Sequence, residues 1–139
     1  MKKNTINLDI NRINNLKVNL SAIERRTSTI TKRRTVKKDY QVAWLLKAVT
    51  LLDLTTLEGD DTFGKVDKLC AKGMNPISNT ILDNLGLPKN SVHVGAVCVY
   101  HNLVQHAQEI LKNKLPVASV STGFPAGLSS FQTRKKEII

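Results

Sequence analysis

Asp53 and Thr55 stand two apart in the apolar, Thr-rich run 51–57. On an extended chain both side chains therefore leave the same face. On residue type alone Asp53 caps a turn and Thr55 packs within a strand; in a barrel, the face they share can be the interior near the catalytic end. Cys98 lies near the end of a second apolar run, 92–100, where strict alternation groups it with Val94, Ala96 and Tyr100. On residue type alone it is a small buried hydrophobe, since no neighbouring cation would lower its thiol pKa. A nucleophilic lysine must be unprotonated, held so by a cationic or desolvated neighbour. Lys47, Lys65, Lys68 and Lys72 fall on helical patterns, and Lys112 and Lys114 flank another, so each reads as a solvated helix lysine. The segment Gly59 to Lys65 fits G-x-x-x-x-G-K, but Val66 replaces the Mg²⁺-binding hydroxyl and Asp60 and Asp61 would repel phosphates. His93, His101 and His106 lack metal-ligand spacing, and Cys70 with Cys98 makes neither a zinc site nor a disulfide framework. No metal and no cofactor are expected.

The elements that must hold these residues alternate in period. Asp39 is expected to cap a helix through Tyr40, Ala43, Trp44, Lys47 and Val49. A strand over 51–57 follows, then a helix over 63–73 with Val66, Leu69 and Cys70 on one face and Asp61 or Thr62 as its cap. After a helical turn near 81–85, residues 92–100 read as a strand buried on both faces. A helix over 102–113, a strand over 116–122 and a helix from Phe131 to Ile139 complete the order. Strands separated by helices imply β-α-β units and a parallel sheet.

Charge is concentrated at one end. The 139 residues carry 21 Lys+Arg against 11 Asp+Glu, a formal net charge of +10. Residues 1–38 hold eleven of the basic groups, including Lys2, Lys3 and Arg34, against Asp9 and Glu24, so nearly all the excess belongs to this segment. It is read as a basic extension, helical over 8–26 and linker-like over 27–38, preceding an α/β portion over 39–139. Such a segment could attract nucleic-acid phosphates by counterion release. It has no aromatic before Tyr40 to stack bases, which makes a solvated extension or docking helix the preferred reading. No run approaches the roughly 18 apolar residues of a membrane span. The polar N-terminus lacks a secretory signal's apolar region. A soluble, cytoplasmic protein without membrane partners is expected.

Four ordered blocks carry a family resemblance. They are residues 44–50 (Trp44-Leu45-Leu46-Lys47-Ala48-Val49-Thr50), residues 53–62 from Asp53-Leu54-Thr55-Thr56-Leu57 to Thr62, residues 96–100 (Ala96-Val97-Cys98-Val99-Tyr100), and residues 116–127 ending Thr122-Gly123-Phe124-Pro125-Ala126-Gly127. From about residue 40 onward the chain resembles deoxyribose-phosphate aldolase in its animal-type branch, over the N-terminal part only. One departure is His101, where the family usually has Pro.

The resemblance implies a (β/α)₈ TIM barrel, here its first three βα units, because a complete barrel needs roughly 250 residues. It also implies a class I aldolase that interconverts 2-deoxy-D-ribose 5-phosphate with acetaldehyde and D-glyceraldehyde 3-phosphate in deoxyribonucleotide catabolism. Asp53, Thr55 and Cys98 would then line the substrate pocket. The family's Schiff-base Lys, its second Lys and its relay Asp sit on later strands, beyond Ile139. The isolated chain is accordingly expected to be inactive, and to self-associate unless a partner covers its open sheet edge. The competing reading is a non-catalytic fragment or binding module whose basic arm contacts nucleic acid.

Overall fold

A computed structural model describes residues 8–33 and 36–138. Lys2, Lys3, Arg34 and Ile139, on which parts of the sequence reading rest, lie outside the described residues. The chain divides into two units, Met1–Val36 and Lys37–Ile139.

The first unit forms two helices where the apolar spacing predicts one. Helix α1 spans Ile10–Asn14 and α2 spans Leu20–Ile30. Each opens on a side-chain cap: Asp9 accepts from the Arg12 amide and Asn19 from the Ala22 amide, both at 3.0 Å. Asn19 marks the break, because its side chain caps a new helix and does not continue the first. Helix α2 also extends to Ile30, into the stretch read as linker. There Thr27, Ser28 and Thr29 turn their hydroxyls back onto the carbonyls of Glu24, Arg25 and Arg26. Side chains that usually favour loops are thereby satisfied within the helix.

The second unit begins with α3, Asp39–Val49. Asp39 is its first helical residue and not its cap: Lys38 occupies that position, at φ 53 and with no side-chain cap bond. A carboxylate in the first turn still favours the helix through the dipole. Leu51 and Leu52 close the helix with amides to the Ala48 and Val49 carbonyls, so strand β1 is confined to Asp53–Thr55. Helix α4, Phe63–Met74, is capped by Thr62, and α5, Asn79–Asn84, by Ser78. Strand β2 is Ala96–Tyr100, a 3₁₀ turn covers His101–Leu103, and α6 runs Val104–Leu111 to a left-handed stop at Lys112. Strand β3, Val117–Val120, and α7, Phe131–Lys136, complete the order. All three strands are shorter than their apolar runs. No described helix is long and apolar enough to cross a membrane.

The sheet is parallel in the order β1-β2-β3. Val97 and Val99 of β2 pack with Val66 and Cys70 of α4 and with Ala107 and Leu111 of α6. Val94 belongs to this same core, not to the Cys98 face as strict alternation predicts. The reason is a bend at Gly95, which interrupts the extended chain before β2 and shifts the alternation. Gly95 donates to the Leu52 carbonyl at 2.9 Å, and a Cβ there would lie 2.9 Å from the Thr50 carbonyl oxygen. Only glycine allows so close an approach of two backbones. Gly73 of α4 is likewise closely packed, its missing Cβ 3.1 Å from Val97 Cγ2 and 3.2 Å from Val94 Cγ2.

Candidate active site

The side of the sheet turned away from α4 and α6 carries the residues singled out by the sequence. Asp53 pairs in register with Ala96, Thr55 with Cys98, Cys98 with Ala118, and Tyr100 with Val120. Residues paired in register share a face, and Val97 and Val99 occupy the opposite one. Asp53, Thr55 and Cys98 are thus brought onto one surface. Thr55 and Cys98 are neighbours across β1 and β2.

The electrostatics of this surface disfavour nucleophilic attack by Cys98. Asp53 and Thr55 are exposed, and the Thr55 hydroxyl donates to the Asp53 carbonyl at 3.0 Å. Cys98 is buried. Burial pushes its thiol pKa up, the Asp53 charge adds to the rise, and the Thr55 hydroxyl opposes both. A protonated thiol in this position is a weakly polar lining group, not a nucleophile. Cys70, in the helix-facing core, is raised by burial and then by Asp67.

The segment resembling a phosphate loop is occupied by its own ion pairs. Lys65 Nζ reaches Glu58 at 2.8 Å, Asp60 at 3.0 Å and Asp61 at 3.8 Å. These contacts raise the Lys65 pKa, and Lys65 in turn lowers that of Asp60. Asp61 also accepts from the Thr56 hydroxyl at 2.8 Å and the Glu58 amide at 3.0 Å. Lys65 is therefore committed to carboxylates and does not project toward a ligand. Among the described residues, Glu58, Asp60 and Asp61 are the group whose oxygens come close enough to share a cation, and Lys65 supplies that cation.

The remaining candidates separate from the surface. Lys47, Lys65, Lys68 and Lys72 lie on α3 and α4, Lys112 ends α6, and Lys114 precedes β3. His106 joins α6 to α4, with Nε2 2.7 Å from Asp67 Oδ1 and its ring 4.4 Å from Phe63. His93 Nδ1 bonds the Val94 carbonyl at 2.8 Å. Two features escape sequence reasoning. The Tyr100 ring meets Phe124 edge-on at 6.4 Å, and the Gly123 amide donates to Glu137 at 2.8 Å. Both join residues far apart in sequence, and no local pattern announces them.

No protein-family model matches the chain. Among curated proteins it is similar to the deoxyribose-phosphate aldolase of Mus musculus, 48% identical over 134 residues, to that of Homo sapiens at 47%, and to that of Bos taurus at 46%. Each match takes in 94% of this chain and 42% of the relative, so the chain spans less than half the length of the proteins it matches. A stretch of 134 residues cannot fit within residues 40–139. The similarity therefore reaches well into the basic segment, further than the four blocks carry it.

Proposed function

The chain belongs to the deoxyribose-phosphate aldolase family, of whose three mammalian members named above it spans 42% of the length, and from that premise we propose that it supplies one wall of the sugar pocket of a class I aldolase. Its parallel sheet with α4 and α6 packed on one side corresponds to the first βα units of a TIM barrel, whose catalytic face lies at the strand C-termini. The observation that supports the reading most directly is the shared face of Asp53, Thr55 and Cys98. Asp53 and Thr55 offer an acceptor and a donor-acceptor for hydroxyls of 2-deoxy-D-ribose 5-phosphate, and Cys98 fills the wall behind them. Cleavage to acetaldehyde and D-glyceraldehyde 3-phosphate needs a Schiff-base amine on the same face. The lysines described here stand on helices and loops, so we assign that amine, its companion lysine and the relay Asp to segments outside these 139 residues. The chain alone is then inactive. Cytoplasmic deoxyribonucleotide catabolism is the setting that this chemistry implies, with no cofactor required.

The reading is tested by mixing the chain with the part of the Mus musculus relative that the match leaves uncovered. Cleavage of 2-deoxyribose 5-phosphate is expected from the mixture and from neither part alone. Asp53→Asn in the chain should lower the mixture's turnover by about 10-fold or more, the scale of a lost hydrogen bond to a charged group. Unchanged turnover in that variant would remove Asp53 from the pocket. Because the basic segment lies largely within the family match, it reads as part of the aldolase sequence and not as an added nucleic-acid arm. Salt-dependent binding of duplex DNA that is lost on deleting residues 1–38 would reverse that choice.

A further inference from the structure

The turn that leaves β3 holds a costly backbone. Thr122 and Gly123 lie in succession in the left-handed region, at φ 61 and φ 74. A β-branched residue there is a steric outlier, and such residues persist where the surroundings over-determine them. The Gly127 amide closes part of the turn by donating to the Gly123 carbonyl at 2.7 Å. A second constraint arrives from fourteen residues away. The Gly123 amide donates to Glu137 Oε2 at 2.8 Å in a half-buried setting. Glu137 is fixed at the end of α7, where its own amide donates to the Thr133 carbonyl at 3.2 Å. Among the described residues no Lys, Arg or His lies within ion-pair distance of Glu137. The bond pairs a carboxylate oxygen with a backbone amide, the composition of a charge-assisted hydrogen bond.

The same turn carries Phe124, whose ring meets Tyr100 edge-on at 6.4 Å. Tyr100 is the last residue of β2 and shares its face with Cys98. We infer that Glu137 is a positioning residue for the site, clamping the turn after β3 through Gly123 so that Phe124 stands against Tyr100 at the C-terminal edge of the Asp53–Thr55–Cys98 face. The assignment of that face to a sugar pocket rests on the function proposed above, whereas the clamp itself does not. A loop placed by a rigid strand on one side and a helix-borne carboxylate on the other gives the pocket a fixed rim.

The test uses the isotope-labelled 139-residue chain and the variants Glu137→Ala and Glu137→Gln, read by NMR. In Glu137→Ala the Gly123 amide proton should move upfield and the ring-to-ring NOE between Phe124 and Tyr100 should fall severalfold, with the β2 amides unmoved. Glu137→Gln keeps an acceptor oxygen and should restore the NOE. Phe124→Leu should leave the Gly123 amide protected from solvent exchange, because the clamp does not depend on the ring, and loss of that protection would overturn the assignment. Retention of the NOE in Glu137→Ala, failure of Glu137→Gln to restore it, or collapse of the β2 resonances together with it would overturn the assignment. Addition of 2-deoxyribose 5-phosphate separates the two claims. Absence of shifts at Thr55 and Cys98 when the sugar is added to the mixture of the labelled chain with the uncovered part of the Mus musculus relative would contradict the sugar pocket and leave the clamp standing.

Discussion

Thr55 of β1 stands directly opposite Cys98 of β2 in the parallel register, and the buried thiol has its pKa raised by burial and by Asp53 while the Thr55 hydroxyl pulls it down. The three groups form one electrostatic unit. Its balance holds the thiol pKa above the ordinary value.

Alkylation of Cys98 by iodoacetamide should accordingly be slow at pH 7 and should rise at a higher pH than for an ordinary thiol. Asp53→Asn removes the second cause of the shift and should move that rise toward lower pH. The sign for stability follows from linkage. Cys98 and Cys70 both have raised folded-state pKa values, so the unfolded chain loses its thiol protons first. Stability is therefore retained below the ordinary thiol pKa and declines as pH rises through and above it. Thermal melts from pH 7 to 10 on the wild type and on Cys70→Ala/Cys98→Ala check this. An identical decline in both would contradict it.

Gly95→Ala should destabilise the chain by about 1–3 kcal/mol, the usual scale for overpacking, because the new Cβ meets backbone carbonyls at 2.9 and 3.3 Å that have no rotamer to change. Gly59→Ala meets nothing within 4 Å and should fall within about 0.5 kcal/mol of the wild type. Urea unfolding of the two variants under one set of conditions gives the comparison.

The same glycine shows where sequence periodicity succeeds and where it fails. Helices α4 and α6 follow from their apolar spacing, and Thr62 from its cap position, because these signals are local. Period two within β1 puts Asp53 and Thr55 on one face, but that Cys98 shares it comes from the parallel register between β1 and β2, which spacing does not encode. Val94 does not keep to period two, because the bend at Gly95 resets the alternation, and that bend exists to admit the Leu52 carbonyl from the β1 end. Leu51 and Leu52 look like strand residues by type, yet their amides are spent closing α3. Glu137 and Phe124 acquire their roles from partners 14 and 24 residues away, in contacts that no spacing rule encodes.

Lys65→Ala should lower the melting temperature slightly at low salt, leaving Glu58, Asp60 and Asp61 as like-charged neighbours. These are exposed pairs, so the difference should shrink as salt screens them. Asp60 adds a pH dependence of known sign. Its pKa is lowered, first by the Lys65 hydrogen bond, so its contribution is present above the ordinary carboxylate pKa and is lost as pH falls through the lowered value. Melts of both proteins at low salt and in 1 M NaCl, down to pH 2.5, test the account. A difference that survives high salt would count against it.

The most direct test of the central claim is borohydride trapping with 2-deoxyribose 5-phosphate, followed by peptide mass mapping. It is run on the 139-residue chain alone and on its mixture with the uncovered part of the Mus musculus relative. No adduct is expected on the chain alone, and in the mixture an adduct on a lysine of the added part. An adduct on any lysine of residues 1–139, accompanied by turnover of the chain alone, would contradict it.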